Sequence, residues 1–357
     1  MLENEVYDFR EVDSGVIKCE SCGSNMSFEP SLQKLKCRHC GAIKEIQSSI
    51  SEEIDLMSDI SKAYAWEDDK LSAFDCVNCG AQVVLQKTEI ARVCPFCGTS
   101  HVKKTHEIKG LKPNGVLPFS INLDNAVEYS RLWAKKRFFA PRSFKKNLSA
   151  ENVKGIYSPC FTFDTNTYSF YEGRIGIHKT RTVGSGKNRR TQTYTVWRNI
   201  SGQHDSSFDD VLISSGKKVE QNTLNSIAPF DTNNGKNYKE EYLLGYLAYQ
   251  NDEELSDCWG KAKNLLDSKI KAQILSKYHY DTVAYLNVWT KHEKVTYKYV
   301  MLPIYVGNFK FKKKLYNFFV NGSTGKVFGK YPKSVFKIVS LMVAIGLIVG
   351  AVVYLLS

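Results

Sequence analysis

The sequence predicts a multidomain chain with two small β modules built on paired cysteines, one α+β domain, and a single apolar helix at the carboxyl end. Three observations predict it. Eight cysteines fall in four Cys-x-x-Cys-Gly knuckles that form two matched pairs. Between residues 110 and 330, helical periodicity alternates with strand-like runs. Residues 338–356 carry no charge.

The knuckles come first. One pair is Cys19–Cys22 with Cys37–Cys40, and the other is Cys76–Cys79 with Cys94–Cys97. Each pair has 14 residues between its halves, and the second unit begins 57 residues after the first. This is metal-site spacing rather than a disulfide framework. Four thiolates fill a tetrahedral zinc shell and leave no position open. The expected cofactors are therefore two Zn2+, although iron also occupies tetrahedral sulfur sites. Each unit is expected to be a small β zinc ribbon, over residues 1–46 and 73–104. Gly23, Gly41, Gly80 and Gly98 follow the knuckles and supply the positive φ that such turns need. Cys160 and Cys258 lie among apolar residues and are expected as buried, inert thiols.

Residues 47–72 join the ribbons as an acidic helical linker. Ser49 and Glu52 make a capping-box signature. Ile50, Ile54, Met57, Ile60 and Tyr64 follow at helical spacing. Such a helix could dock a basic partner or pack on the ribbons.

The α+β domain, residues 110–330, opens with a helix from about Leu123 to Arg137, capped by Asn122. The window 131–146 holds seven basic and no acidic residues, interleaved with Trp133, Phe138, Phe139 and Phe144. From Ile156 to Ile213 the pattern is strand-like, with a hairpin tip near Val183–Arg190. A second helix is expected from about Asp252 to Lys277, with Leu255, Trp259, Ala262, Leu266 and Ile270 inward. Strands follow near Val283–Trp289, Lys298–Val306 and Leu315–Val320, with a tight turn at Asn321-Gly322. Pro159 and Pro303 each interrupt an apolar strand, which suits an edge or a strand start.

Residues 336–356 form the last element, a transmembrane helix. Its uncharged core of 19 residues is long enough to span about 28 Å. Lys326, Lys330, Lys333 and Lys337 crowd its amino-terminal side, and only Ser357 follows. The positive-inside rule then places the bulk of the chain in the cytoplasm as a single-pass, tail-anchored protein of the cell membrane, its carboxyl end outside. No amino-terminal apolar stretch suggests a signal peptide. Gly346 and Gly350 form a small-xxx-small pair through which two such helices could pack as a homodimer.

Charge narrows the partners. The net charge of +12 is unevenly spread. Residues 1–98 carry 10 basic and 17 acidic side chains, leaving 39 and 20 for residues 99–357. Acidic ribbons are poor binders of phosphate backbones, which disfavours nucleic acid and makes the ribbons protein-docking modules. The basic surface lies in the second half. Lys135, Lys136, Arg137, Arg142, Lys145 and Lys146, with Lys187, Arg189 and Arg190 of the hairpin tip, are the candidates for binding an anionic surface. Such stretches suit lipid head groups or single strands, or remain solvated helix and hairpin faces. No phosphate loop, Rossmann fingerprint, His-Glu-x-x-His or G-x-S-x-G motif is present, and the seven histidines are scattered. No catalytic or organic cofactor site is therefore expected.

Both ribbons, Arg137–Lys145, Gly155–Asp164, Ser226–Asp231, Leu244–Ala248, Met301–Tyr305 and Asn321–Val327 together carry a resemblance over nearly the whole chain. They resemble bacterial TFIIB-type zinc-ribbon-containing, tail-anchored membrane proteins, some of which bear a transferred primosomal helicase label. Family members usually show Pro-Phe-Trp where this chain has Pro159-Cys160-Phe161. The resemblance implies a non-enzymatic membrane-docking adaptor for cytoplasmic envelope-stress or membrane-remodelling proteins. The alternative is a membrane-tethered nucleic-acid binder. The helicase label finds no nucleotide-binding motif to support it.

Overall fold

The computed structural model describes residues 17–59, 71–86, 94–99, 102–105, 111–146, 148–184, 186, 189–312 and 314–356. Strands β1 (Met26–Glu29), β2 (Lys34–Cys37) and β3 (Ile43–Lys44) form a small antiparallel sheet. The chain then lays down β4 (Ile54–Asp55) and one turn of helix, α1 (Leu56–Asp59). The second cysteine module supplies β5 (Leu71–Cys76), β6 (Gln82–Gln86) and β7 (Val102–Thr105). After β8 (Gly115–Val116) come α2 (Leu123–Lys135) and α3 (Arg142–Lys146). Two long strands follow, β9 (Val153–Val183) and β10 (Arg190–Ser214). Next are α4 (Gln221–Ile227), β11 (Lys236–Asn237), β12 (Leu247–Tyr249) and α5 (Leu255–Ser276). The third long strand, β13 (Thr282–Phe311), turns into β14 (Lys314–Asn321) and β15 (Val327–Gly329). The last element is α6 (Val335–Leu356), long and apolar enough to cross a membrane.

The result is a large β-rich body with helices packed on it, and the second cysteine module is continuous with that body. The sheet runs β11-β8-β13-β9-β12-β6-β5-β7, with β10 on β9 and β14 on β13. Strands of 31, 25 and 30 residues (β9, β10, β13) form its spine, against the usual 3–10. The burial pattern explains how such lengths are tolerated. Residues 156–163 are buried without a break, as befits a strand covered on both faces. Beyond Asp164 the pattern alternates. Thr165, Thr167, Ser169 and Tyr171 turn inward, and Tyr168, Phe170, Glu172 and Arg174 face solvent. The inner face is roofed by α5, whose Leu255, Trp259, Ala262, Leu266, Ile270 and Ile274 are all buried. Up to Ile270 that stripe is the one the sequence predicts, and Ile274 extends it by a turn.

Two local expectations are corrected. The helix expected from Ser49 does not form over 49–55, and Ile50 and Met57 are exposed. The segment is an extended strap. Ser51 N donates to Gly235 O, Asn237 N donates to Ser49 O, and Ile54 pairs with Tyr297. Free backbone edges on β11 and β13 outcompete a short helix with β-branched Ile50 and Ile54. Ile60 and Tyr64 lie outside the described residues. The prolines stand in central strands, not at an edge. The Pro159 carbonyl accepts from Ser215 N where the β10 ladder ends, and the Pro303 carbonyl accepts from Gly322 N between β8 and β14. Each ring nitrogen thus faces a gap between neighbouring strands, where no donor is needed. The turn after β14 closes with Gly325, φ 75°, whose N–H donates to Asn321 O, while Asn321 Oδ1 accepts from Ser323 and Thr324.

Candidate metal centres

All four knuckles are built alike. The N–H of the glycine donates to the carbonyl of the first cysteine, at 2.8, 3.0, 2.8 and 2.9 Å. The N–H of that first cysteine donates to the residue five places on (Ser24, Ala42, Ala81, Thr99). The glycines have φ between 68 and 79°. This double hydrogen bond turns both sulfurs of a knuckle to one side.

The sulfurs converge. Cys19–Cys40 and Cys22–Cys37 are 3.4 and 3.5 Å apart, and Cys76–Cys97 and Cys79–Cys94 are 3.5 and 3.7 Å apart. Within each cluster the four ligand atoms lie within 4.8 Å of one another. A tetrahedron with metal–sulfur bonds of about 2.3 Å has edges of about 3.8 Å, and a disulfide is about 2.0 Å. Both clusters therefore fit a metal ion and neither is disulfide-bonded. The first cysteine of every knuckle is buried. Cys22 and Cys40 of the first cluster are exposed, whereas Cys79 and Cys97 of the second are half-buried.

Without metal, the thiols of a cluster titrate against one another. The Ser24 backbone N–H, then its hydroxyl, bring Cys22 down to about 5. The Ala42 N–H favours the Cys40 thiolate, but Cys19, Cys22 and Cys37 outweigh it and push Cys40 up to about 12. In the second cluster, burial pushes Cys94 up. Burial also opposes ionisation of Cys97, yet Asn78, the Thr99 N–H and neighbouring sulfurs bring it down to about 7. A dication at the centre removes this conflict by favouring four thiolates together.

One segment braces both modules. Tyr242 and Tyr246 pack edge-on against Phe28 of β1, and Leu244 O accepts from Phe28 N. A few residues on, β12 pairs with β6 of the second module and with β9. Phe96, between Cys94 and Cys97, sits against Tyr249 at 5.0 Å. Asn308 and Asn317 Nδ2 donate to the carbonyls of Pro95 and Phe96, and Lys218 Nζ donates to Cys79 O.

Of the candidate basic residues, two groups emerge at opposite ends of the spine. Lys135, Lys136, Arg137, Arg142, Lys145 and Lys146 lie on α2, α3 and the loop between them. There Phe144 packs on Phe309, just past the Val153–Gly307 pair. Arg189 and Arg190 lie at the far tip, at the end of a strand about 100 Å in contour length at the usual rise. Lys187 lies outside the described residues.

One cluster went unpredicted. Lys298, 4% exposed, lies 3.1 Å from Asp210 and 3.6 Å from Glu53. Glu53, Asp164 and Asp209 bring carboxylates within 4.8 Å of one another. Burial, then the hydrogen bond to Glu53, push Asp164 up to about 7, while that bond lowers Glu53. The signal was a lone lysine inside the apolar run of β13, which has to find carboxylates if it is buried. Cys160 and Cys258 are buried, and burial raises both thiols.

A protein of Bacillus subtilis (strain 168), the uncharacterized protein YdjG, is 28% identical over 323 residues, 89% of this chain and 90% of its own length. No family model matches the chain. No solved structure matches it.

Proposed function

We propose that the chain is a membrane-anchored, cytoplasm-facing adaptor. In this reading two zinc ribbons dock a cytoplasmic or membrane-associated protein, and the chain itself catalyses nothing. The observation that carries it is the pair of four-sulfur clusters braced on one body that leads into an apolar helix. Four thiolates around zinc leave no site for a reacting ligand, so the centres serve to shape a surface. A reducing compartment keeps such thiolates free. The lysines ahead of α6 favour the same side of the membrane. The first ribbon leaves Arg38, His39, Cys40 and Ile43 exposed, a ready contact edge. Gly346 and Gly350 form a small-residue pair on α6 through which a second copy would pack. The likeness to TFIIB-type zinc-ribbon membrane proteins agrees with this reading and extends it to envelope-stress or membrane-remodelling partners.

Crosslinking in intact cells, followed by recovery from membranes, tests the proposal. Wild type should retain a partner that a Cys19→Ser/Cys76→Ser variant loses. Full recovery by a variant shown to hold no metal would remove the ribbons as docking sites.

A further inference from the structure

The root of α6 is not a bare stalk. Lys337, in its first turn, donates to the carbonyls of Phe138 and Ala140 at 2.9 and 2.7 Å. The Ser334 N–H donates to Phe139 O at 2.8 Å. The loop after α2 is therefore tied to the point where the apolar helix begins. Trp133 and Phe144 of the aromatic-basic window turn into the core. Phe138 turns out and is 65% exposed, beside Val335 and Phe336 at 70 and 81%.

Cations from separate segments meet at this level. Lys145 of α3 donates to Lys135 O and is held below the ordinary lysine range by burial and by Lys337. The β13–β14 turn carries exposed Lys312 and Lys314, three and five residues beyond Phe309, which packs edge-on against Phe144 of α3. Neither residues 131–146 nor residues 294–357 contain an acidic side chain. Among the described residues none of these cations is in an ion pair. Like charges gathered without counter-charge are costly unless an anionic surface lies opposite.

We propose that Phe138 and the cations around the root of α6 form a collar that binds anionic lipid head groups and seats the β-rich body on the leaflet. This rests on the reading that α6 spans the bilayer. Lipid is the occupant because the collar is covalently continuous with the apolar helix and is tied to its first turn through Lys337. An exposed phenylalanine among cations matches the layered chemistry of an interface, with phosphate outside and acyl chain below. The hairpin-tip cations, at the other end of the spine, are not part of it.

The test uses the full chain in vesicles of phosphatidylcholine, with and without phosphatidylglycerol. Flotation after alkaline carbonate extraction, which strips peripheral proteins, first establishes insertion. If the chain fails to float with either vesicle, the spanning reading fails, and the collar with it. For the inserted chain, Phe138→Trp reports depth through quenching by brominated acyl chains, with the unsubstituted chain as background. The collar predicts quenching that rises with phosphatidylglycerol. It also predicts that Lys312→Gln/Lys314→Gln/Lys333→Gln, three exposed side chains, weakens phosphatidylglycerol binding by roughly fivefold per charge. Insertion with the same quenching in both lipids, or no effect of the triple change, overturns the collar and leaves the anchor intact. A single-stranded oligonucleotide that abolishes the quenching at equal charge concentration overturns it in favour of nucleic acid.

Discussion

Phe96→Ala separates a ribbon that is part of the body from one that merely hangs on it. The same knuckle position holds Ser21, His39 and Asn78 in the other three knuckles, so only here is the residue at that position apolar. Phe96 is 4% exposed and packs on Tyr249, itself 1% exposed. Truncating a buried phenylalanine costs about 3–5 kcal/mol. The carbonyl bonds to Asn308 and Asn317 survive, because they involve backbone oxygens. The loss therefore falls on docking, and the second module should open locally before the body unfolds. At about 1.4 kcal/mol per factor of ten, the open population rises by two to three and a half orders of magnitude, roughly 10²- to 4 × 10³-fold. Zinc release into excess metallochromic dye reads it directly. In the variant one of two metals should leave faster by that factor, while the metal held by Cys19, Cys22, Cys37 and Cys40 leaves at the wild-type rate. Both metals leaving at wild-type rates would show that Phe96 does not hold the ribbon, and the docked arrangement would be wrong.

Two more outcomes concern the unpredicted cluster. Asp164 is raised from 3.8 to about 7 in the folded chain, so its contribution is complete below the unfolded value and is lost as pH rises from about 4 to about 7. Amide exchange of Ser51–Asp55, corrected for intrinsic rates, should therefore speed up over that window, and Asp164→Asn, which can still donate to Glu53, should flatten the dependence. Lys298→Met strands Asp210 beside an apolar neighbour and should cost about 3–5 kcal/mol in thermal unfolding, with Lys298→Met/Asp210→Asn recovering much of it; no recovery would show that the pair does not act as a unit.

The four-cysteine clusters were legible because their signature is local. A cysteine, two residues, a cysteine and a glycine specify their turn with little help. The N-cap of α2 and the apolar face of α5 were legible for the same reason, since a cap and a period of three to four residues are written along the chain. What failed was pairing at a distance. Ser49–Asp55 reads as a helix by local signals, and only Gly235 and Tyr297, far along the chain, make it a strap. The continuity of the second module with the large sheet depends on the three residues of β12, too short a strand to register as a pattern. The single spine strand β13 was read as separate pieces, because the turn-like Lys-His-Glu-Lys near residue 292 breaks its apolar alternation.

That break is where the sheet changes character. Asp209 and Asp210 stand opposite Asp164, and Lys294 and Val295 stand opposite Thr165, so both neighbours of β9 bulge at nearly one level. Asp210 and Lys294 have φ of 49 and 50°, uncommon for residues with a side chain. A bulge adds twist and re-aims the strand beyond it. Two at one level turn both outer strands about β9, and on the side towards Val153 the sheet is covered on both faces, whereas on the other side one face stays open. The strap crosses here: β4 pairs with Thr296 and Tyr297 directly after the bulge, and Glu53 reaches the buried lysine. Asp209, Asp210 and the facing Asp164 sit where a bulge has spread the ladder, which is why a charge cluster is tolerated inside an apolar strand. The chain between the two cysteine modules is therefore pinned at the waist of the sheet over Ser51–Asp55. A force on either module is transmitted to the spine through that crossing as well as through Tyr242–Tyr249.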